Sequence, residues 1–154
     1  MPSHAREIWG PRVWRLLHRL SFYSNRKDVI VAWRNMLKAL SETMPCALCR
    51  QHMRTYLAAN PITLAVGSGG DAVRTYLIDW VYRFHNHVRI SRGGIEFPFE
   101  ELEPLYGPGG HALCVEEAGS LMAEIKDFWS DVPTREFKAM MGYLISLLRG
   151  GALL

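Results

Sequence analysis

The segment Cys46-Ala47-Leu48-Cys49 is the part of the chain best equipped for chemistry. Two thiols separated by two residues can close into a small disulfide ring, and such a ring exchanges with dithiols through a thiolate. Helical periodicity resumes just after Pro45, and proline is tolerated in a first helical turn, so the pair is expected at the start of a helix. Unpaired N–H groups and the positive end of the helix dipole lower a thiol pKa at that place. Cys46, nearer the terminus, is expected to meet incoming dithiols, while Cys49, one turn deeper, faces inward. Arg50 adds positive charge beside them.

Other chemistries fit the same spacing. Thioredoxin-like exchange places Cys-x-x-Cys in a βαβ pattern, yet residues 39–44 continue a helix where that pattern needs a strand. Zinc is served by Cys46, Cys49 and His52, with no fourth ligand at a matching spacing. A reduced structural pair is the plainest reading. The spacing by itself leaves all of these open.

A second set of residues bears on the choice. One stretch reads Trp9-Gly10-x-x-x-Trp14-x-x-Leu17-His18, with Tyr23 five residues on, and a later one reads Trp80-x-x-x-x-His85-Asn86-x-Val88. Taken singly, Trp14 is a core tryptophan, His18 an interhelical histidine, and His85 and Asn86 the dressing of a helix end. Taken together on two facing helices, the rings make a slot for a flat heterocycle, with Asn86 able to hydrogen-bond its edge.

The elements that must position these groups are helical. Trp9, Val13, Trp14, Leu17, Leu20 and Tyr23 repeat at three and four and predict a helix over about 10–24. Val29, Trp33, Met36, Leu37 and Leu40 do the same over 28–43. A third helix starts near Pro45 and stops at Asn60-Pro61, and Gly67-Ser68-Gly69-Gly70 forms a connector. Asp71 is placed to cap a fourth helix reaching about Ser91, with Val73, Leu77, Trp80, Val81 and Phe84 inward. Residues 92–110 hold five of the 13 glycines and three of the 8 prolines and read as a long loop. Amphipathic segments at about 111–130 and 135–149 follow. The expectation is an all-α, four-helix bundle with one or two additional C-terminal helices, in a single domain over 1–154.

Composition narrows the function classes. The 154 residues carry 18 Lys and Arg against 15 Asp and Glu, a net charge of +3 without a basic stripe, which argues against nucleic acid. No run is long and apolar enough for a membrane span, and the first residues carry no secretory-type apolar segment. The expected setting is cytoplasmic, where an isolated disulfide is more often catalytic than structural. The third cysteine, Cys114, reads as a buried apolar residue, with a bridge between subunits as the alternative.

In order along the chain, Trp-Gly-x-x-x-Trp-x-x-Leu-His, Pro-Cys-x-x-Cys-x-x-His and His-Asn-x-Val resemble the Erv/ALR family of FAD-linked sulfhydryl oxidases over about residues 9–92. The resemblance implies a bundle that holds FAD and forms a homodimer. It also implies oxidation of dithiol protein substrates by Cys46 and Cys49, with O2 reduced to hydrogen peroxide. By position, Gly10, Arg12, Trp14, His18 and Tyr23 would line the flavin from the first helix. Trp80, His85, Asn86 and Val88 would do so from the fourth, with Trp80 near the adenine. His52 would join them, and Cys49 would lie against the isoalloxazine and attack it as a thiolate. Where the family continues with asparagine and then lysine, this chain has Arg89 and Gly94, so Arg89 or Arg92 would supply the missing positive charge. Three cysteines leave no shuttle disulfide beside the active pair, as in the compact enzymes of large cytoplasmic DNA viruses.

Overall fold

A computed structural model of the chain describes residues 3–27 and 29–107, with the isolated positions Ser120, Ala123, Arg135 and Gly142. The helices expected at about 111–130 and 135–149, and Cys114, lie outside the described residues. Those described form α1 (Ser3–Tyr23), α2 (Val29–Thr43), α3 (Ala47–Ala59), α4 (Gly70–Ser91), a 3-10 turn (Phe99–Glu101) and the short α5 (Leu102–Tyr106), with no strand among them. The all-α expectation holds for this part of the chain.

The packing follows the apolar stripes. Helix α1 lies against α4 and α2 against α3, while α5 returns to α1. Ile30, Trp33 and Leu37 of α2 and Val73, Leu77 and Val81 of α4 are fully buried. Burial of each such side chain contributes about 1.5–3 kcal/mol. Polar groups at the element ends are spent on the junctions. Ser24 donates to the Leu20 carbonyl and accepts from the Trp33 indole N–H at 2.8 Å, which joins the end of α1 to α2. Arg34 of α2 donates to the carbonyls of Ile62 and Leu64, and the Trp80 indole donates to the Asn60 carbonyl at 2.9 Å, so the link between α3 and α4 is held from both sides.

Several boundaries depart from the periodicity. Helix α1 begins at Ser3, seven residues earlier than expected, and runs through Pro11. Pro11 costs the helix one N–H bond, but Glu7 and Pro11 are both exposed, so water can serve the orphaned carbonyl. Helix α3 begins at Ala47 with Cys46 as its cap, which puts Pro45 outside the helix. Helix α4 is capped by Gly69 without a side-chain bond, and Asp71 sits instead in its first turn. The start of α4 presses on the turn after α1. A Cβ on Gly70 would lie 2.0 Å from the Asn25 carbonyl oxygen, so only glycine fits. Within the predicted 92–110 loop the 3-10 turn and α5 were not foreseen, because Leu102-Glu-Pro-Leu-Tyr106 is too short to show a period.

Candidate active site

The site grows from the N-terminus of α3. Cys46 has extended backbone, as a cap requires, and its sulfur accepts the Cys49 N–H at 3.2 Å. The same turn brings the two residues within bonding reach, with Cα atoms 5.1 Å apart, and they form a disulfide. Cys46 is half-buried and Cys49 buried, while Leu48 between them is 68% exposed. The Arg50 guanidinium donates to the Met44 carbonyl, bracing the bend that contains Pro45. A different cation reaches the inner sulfur. Arg92, the residue that caps the C-terminus of α4, places Nη2 3.9 Å from Cys49 Sγ.

Behind Cys49 lies a narrow pocket walled by Trp9, Gly10, Trp14, His52, Phe84, Val88 and Arg92. It shares Arg6, Gly10, Trp14, Val88 and Arg92 with a larger cavity of about 680 Å³, which adds His85, Arg89 and Tyr106. That volume falls within the 300–1,000 Å³ typical of small-molecule and cofactor sites.

Two ring pairs build the wall. Trp14 stacks on His85 with centroids 4.1 Å apart and planes 8° from parallel. His18 stacks on Tyr106 of α5 at 4.4 Å and 14°. A hydrogen bond of 2.8 Å between His18 Nε2 and His85 Nδ1 ties the pairs together. One nitrogen must donate and the other accept, so this contact requires at least one neutral ring. Burial, reinforced by His85, pushes the His18 pKa down to about 3. Burial, with Arg89 and Arg92 nearby, pushes His85 down to about 4. Both are therefore neutral near pH 7. His52 is lowered as well, chiefly by burial and then by His87 and Arg92.

The chemistry of this wall fits a flat, anionic heteroaromatic group. Gly10 has nothing within 4 Å of where a Cβ would stand, so a ligand can approach the backbone of α1 there. Arg6, Arg89 and Arg92 offer three guanidiniums around the larger cavity against the single carboxylate of Glu7. The buried Nδ1 of His18 has no hydrogen-bond partner among the described residues.

Of the residues singled out from the sequence, Gly10, Trp14, Cys49, His52, His85, Val88, Arg89 and Arg92 line these two spaces, and His18 backs them through His85. Arg12, Tyr23, Trp80 and Asn86 do not line either one. Tyr23 lies beside Arg19, and Trp80 is core, edge-on to Tyr56. The Asn86 amide donates to the Phe97 carbonyl at 3.2 Å and accepts the Phe97 N–H at 2.8 Å, so it latches the segment after α4. Tyr82 donates to the same carbonyl at 2.8 Å. Sequence reasoning missed Tyr106, which carries no periodic signal. It also missed Arg6, whose spacing of four from Gly10 on one helix was a usable clue.

The zinc reading fails on geometry. Among the described residues no three His, Cys, Asp or Glu side chains converge as a metal site, and both cysteines are bound to each other. Nor is any described helix long and apolar enough to cross a membrane.

An all-α bundle with a Cys-x-x-Cys disulfide backed by an aromatic, cationic cavity defines a recognisable class of helical redox-disulfide proteins. Comparison with known families makes the assignment specific: the Erv1/Alr family model matches residues 11–104, more than half of the chain, and the chain belongs to that family. Curated relatives include proteins named FAD-linked sulfhydryl oxidase from African swine fever virus. Those from a Kenyan pig isolate and a Malawian tick isolate are each 32% identical over 87 residues, covering 52% of this chain and 64% of the relative. A Namibian warthog isolate carries another with the same identity and coverage. The match thus spans somewhat under two thirds of these relatives' length. No solved structure matches the chain.

Proposed function

We propose that the chain is an FAD-dependent sulfhydryl oxidase that forms disulfides in dithiol protein substrates and passes the electrons to O2, giving hydrogen peroxide. The observation that carries this reading is the position of Cys49. It belongs to an exchangeable disulfide and also lines the narrow pocket, alongside Trp14 and Arg92. Family membership and the printed names of the viral relatives support it.

Gly10, Trp14, His18, His85, Val88 and Arg89 would hold the FAD, with His52 near the inner pocket. The flavin, when bound, supplies a two-electron acceptor that oxygen can regenerate. The chain's own groups do the rest. An incoming substrate thiolate attacks Cys46, the half-buried sulfur, and forms a mixed disulfide while Cys49 leaves as thiolate. The second substrate thiol then closes the substrate disulfide and releases Cys46. The neutral His18–His85 pair keeps the ring wall uncharged, so among the described lining residues the cations are the guanidiniums. Asn86 holds the segment leading to Tyr106, which completes that wall. A homodimer and cytoplasmic action complete the proposal.

The test is direct. Purified protein should be yellow, release FAD on denaturation, and consume oxygen when given a dithiol such as dithiothreitol. Sedimentation should give twice the chain mass. Colourless protein that consumes no oxygen after incubation with FAD would overturn the proposal.

A further inference from the structure

Two sulfurs in one disulfide present a choice to an attacking thiol. Attack at either is chemically possible, and the sulfur better stabilised as a thiolate leaves preferentially. Each sulfur here has its own stabiliser. Cys46 Sγ accepts a backbone N–H at the start of α3, at 3.2 Å. Cys49 Sγ faces a full positive charge, the Arg92 guanidinium at 3.9 Å. A formal cation at that distance outweighs a single peptide dipole.

The surroundings strengthen the second interaction. Arg6 of α1 lines the same pocket, so two guanidiniums crowd one space. Burial and the neighbouring Arg6 both push Arg92 below its ordinary pKa. His52 of α3 and Arg92 from α4 line that pocket with Cys49, and His52 is held towards its neutral form. Arg50 is turned away to the Met44 carbonyl, and His87 of α4 lies against His52. The pocket behind Cys49 therefore carries excess positive charge, with no carboxylate among its described lining residues.

We infer that Arg92 is a positioning residue for the exchange reaction: its charge selects Cys49 as the sulfur that leaves as thiolate, and so directs incoming thiols to Cys46. In the step, a substrate thiolate forms an S–S bond to Cys46, the Cys46–Cys49 bond breaks, and its electron pair stays on Cys49 beside the guanidinium. No proton is transferred to Cys49. Arg92 thereby acts on the disulfide, a role separate from pairing with a phosphate or with the edge of a flavin. The inference rests on the exchange reaction proposed above, but its test reads thiol chemistry and needs neither flavin nor oxygen.

In a Cys46→Ser background, the pH dependence of Cys49 alkylation by iodoacetamide is followed by peptide mass spectrometry, which resolves it from Cys114. Arg92→Gln should raise the midpoint by about one pH unit, the low end of what a nearby opposite charge produces, because Arg92 is exposed to solvent. Arg92→Lys should restore at least half of that shift. With Arg92 intact, raising salt from about 0.05 to 0.5 M should move the midpoint the same way, which tests the charge without altering the fold. In the full chain, one equivalent of glutathione should be found mainly on Cys46, and Arg92→Gln should spread it over both cysteines. An unchanged midpoint in Arg92→Gln, equal shifts in the lysine and glutamine variants, or glutathione mainly on Cys49 in the unaltered chain would each overturn the inference. Protein that shows the shift but neither binds flavin nor consumes oxygen would instead remove the oxidase reading and leave the role of Arg92 standing.

Discussion

Lowering the pH from 7 to 5 should destabilise this protein through the paired histidines in its cavity wall. The folded pKa of His18 is about 3 and that of His85 about 4, against 6.5 for an ordinary histidine. Both are depressed bases, so the fold favours their neutral forms. Their contribution is fully present above pH 6.5 and is lost as the pH falls towards the folded values, because the unfolded chain then binds the extra protons. Between pH 7 and 5, a histidine shifted this far removes about 2 kcal/mol. The two share a hydrogen bond and do not add independently, so the expected loss is about 2–4 kcal/mol. That is a large part of the 5–15 kcal/mol typical of a domain. His52 shifts in the same direction and can only steepen the fall. Urea unfolding followed by circular dichroism at pH 7, 6 and 5 measures the slope. His18→Phe keeps a flat ring against Tyr106 and removes one titration, so its loss over this range should be about half that of the parent. Stability constant to within about 0.5 kcal/mol from pH 7 to 5 would refute the buried neutral pair.

Three further outcomes can be measured on the same protein. Cys46→Ser and Cys49→Ser should each abolish dithiol-dependent oxygen uptake, and a mixed disulfide on Cys46 should persist longer in Cys49→Ser; full oxygen uptake by either variant would remove the pair from the reaction. Asn86→Ala withdraws both side-chain bonds from Phe97. It should cost about 2 kcal/mol and expose residues 93–98 to trypsin at Arg92, so unchanged proteolysis would mean that Asn86 is no latch. Cys114→Ser should retain most of the activity, since the exchange needs only the first two cysteines.

The helices of the bundle were legible because each buries one face, and burial of one face imposes a period of three and four on the apolar residues. Val29 to Leu40 and Val73 to Phe84 show it plainly. The closeness of Cys46 and Cys49 was equally legible, since two cysteines three apart at a helix start are neighbours whatever the rest of the chain does, but their spacing left a disulfide, zinc and a reduced pair open. The ordered motifs extended that reach to the family, and Gly10, Trp14, His85 and Val88 from those motifs line the two pockets. Local rules also fell short within single elements. The first helix read as starting near residue 10 although it begins at Ser3, and Asp71 read as a cap although Gly69 takes that place.

Tertiary structure alone decided which polar side chains meet. Asn86 lies one residue from His85, yet one is an inward latch on Phe97 and the other a wall of the cavity. Neighbours on a helix diverge by about 100°, and what each one meets depends on the segment that folds back. Tyr106 reaches His18 only because the 3-10 turn and α5 return to α1. Arg92 lies 43 residues from Cys49 along the chain and 3.9 Å from it in space. Apolar burial repeats along an element and can be read from spacing, whereas a single contact between a guanidinium and a sulfur has no period and exists only once the helices have packed.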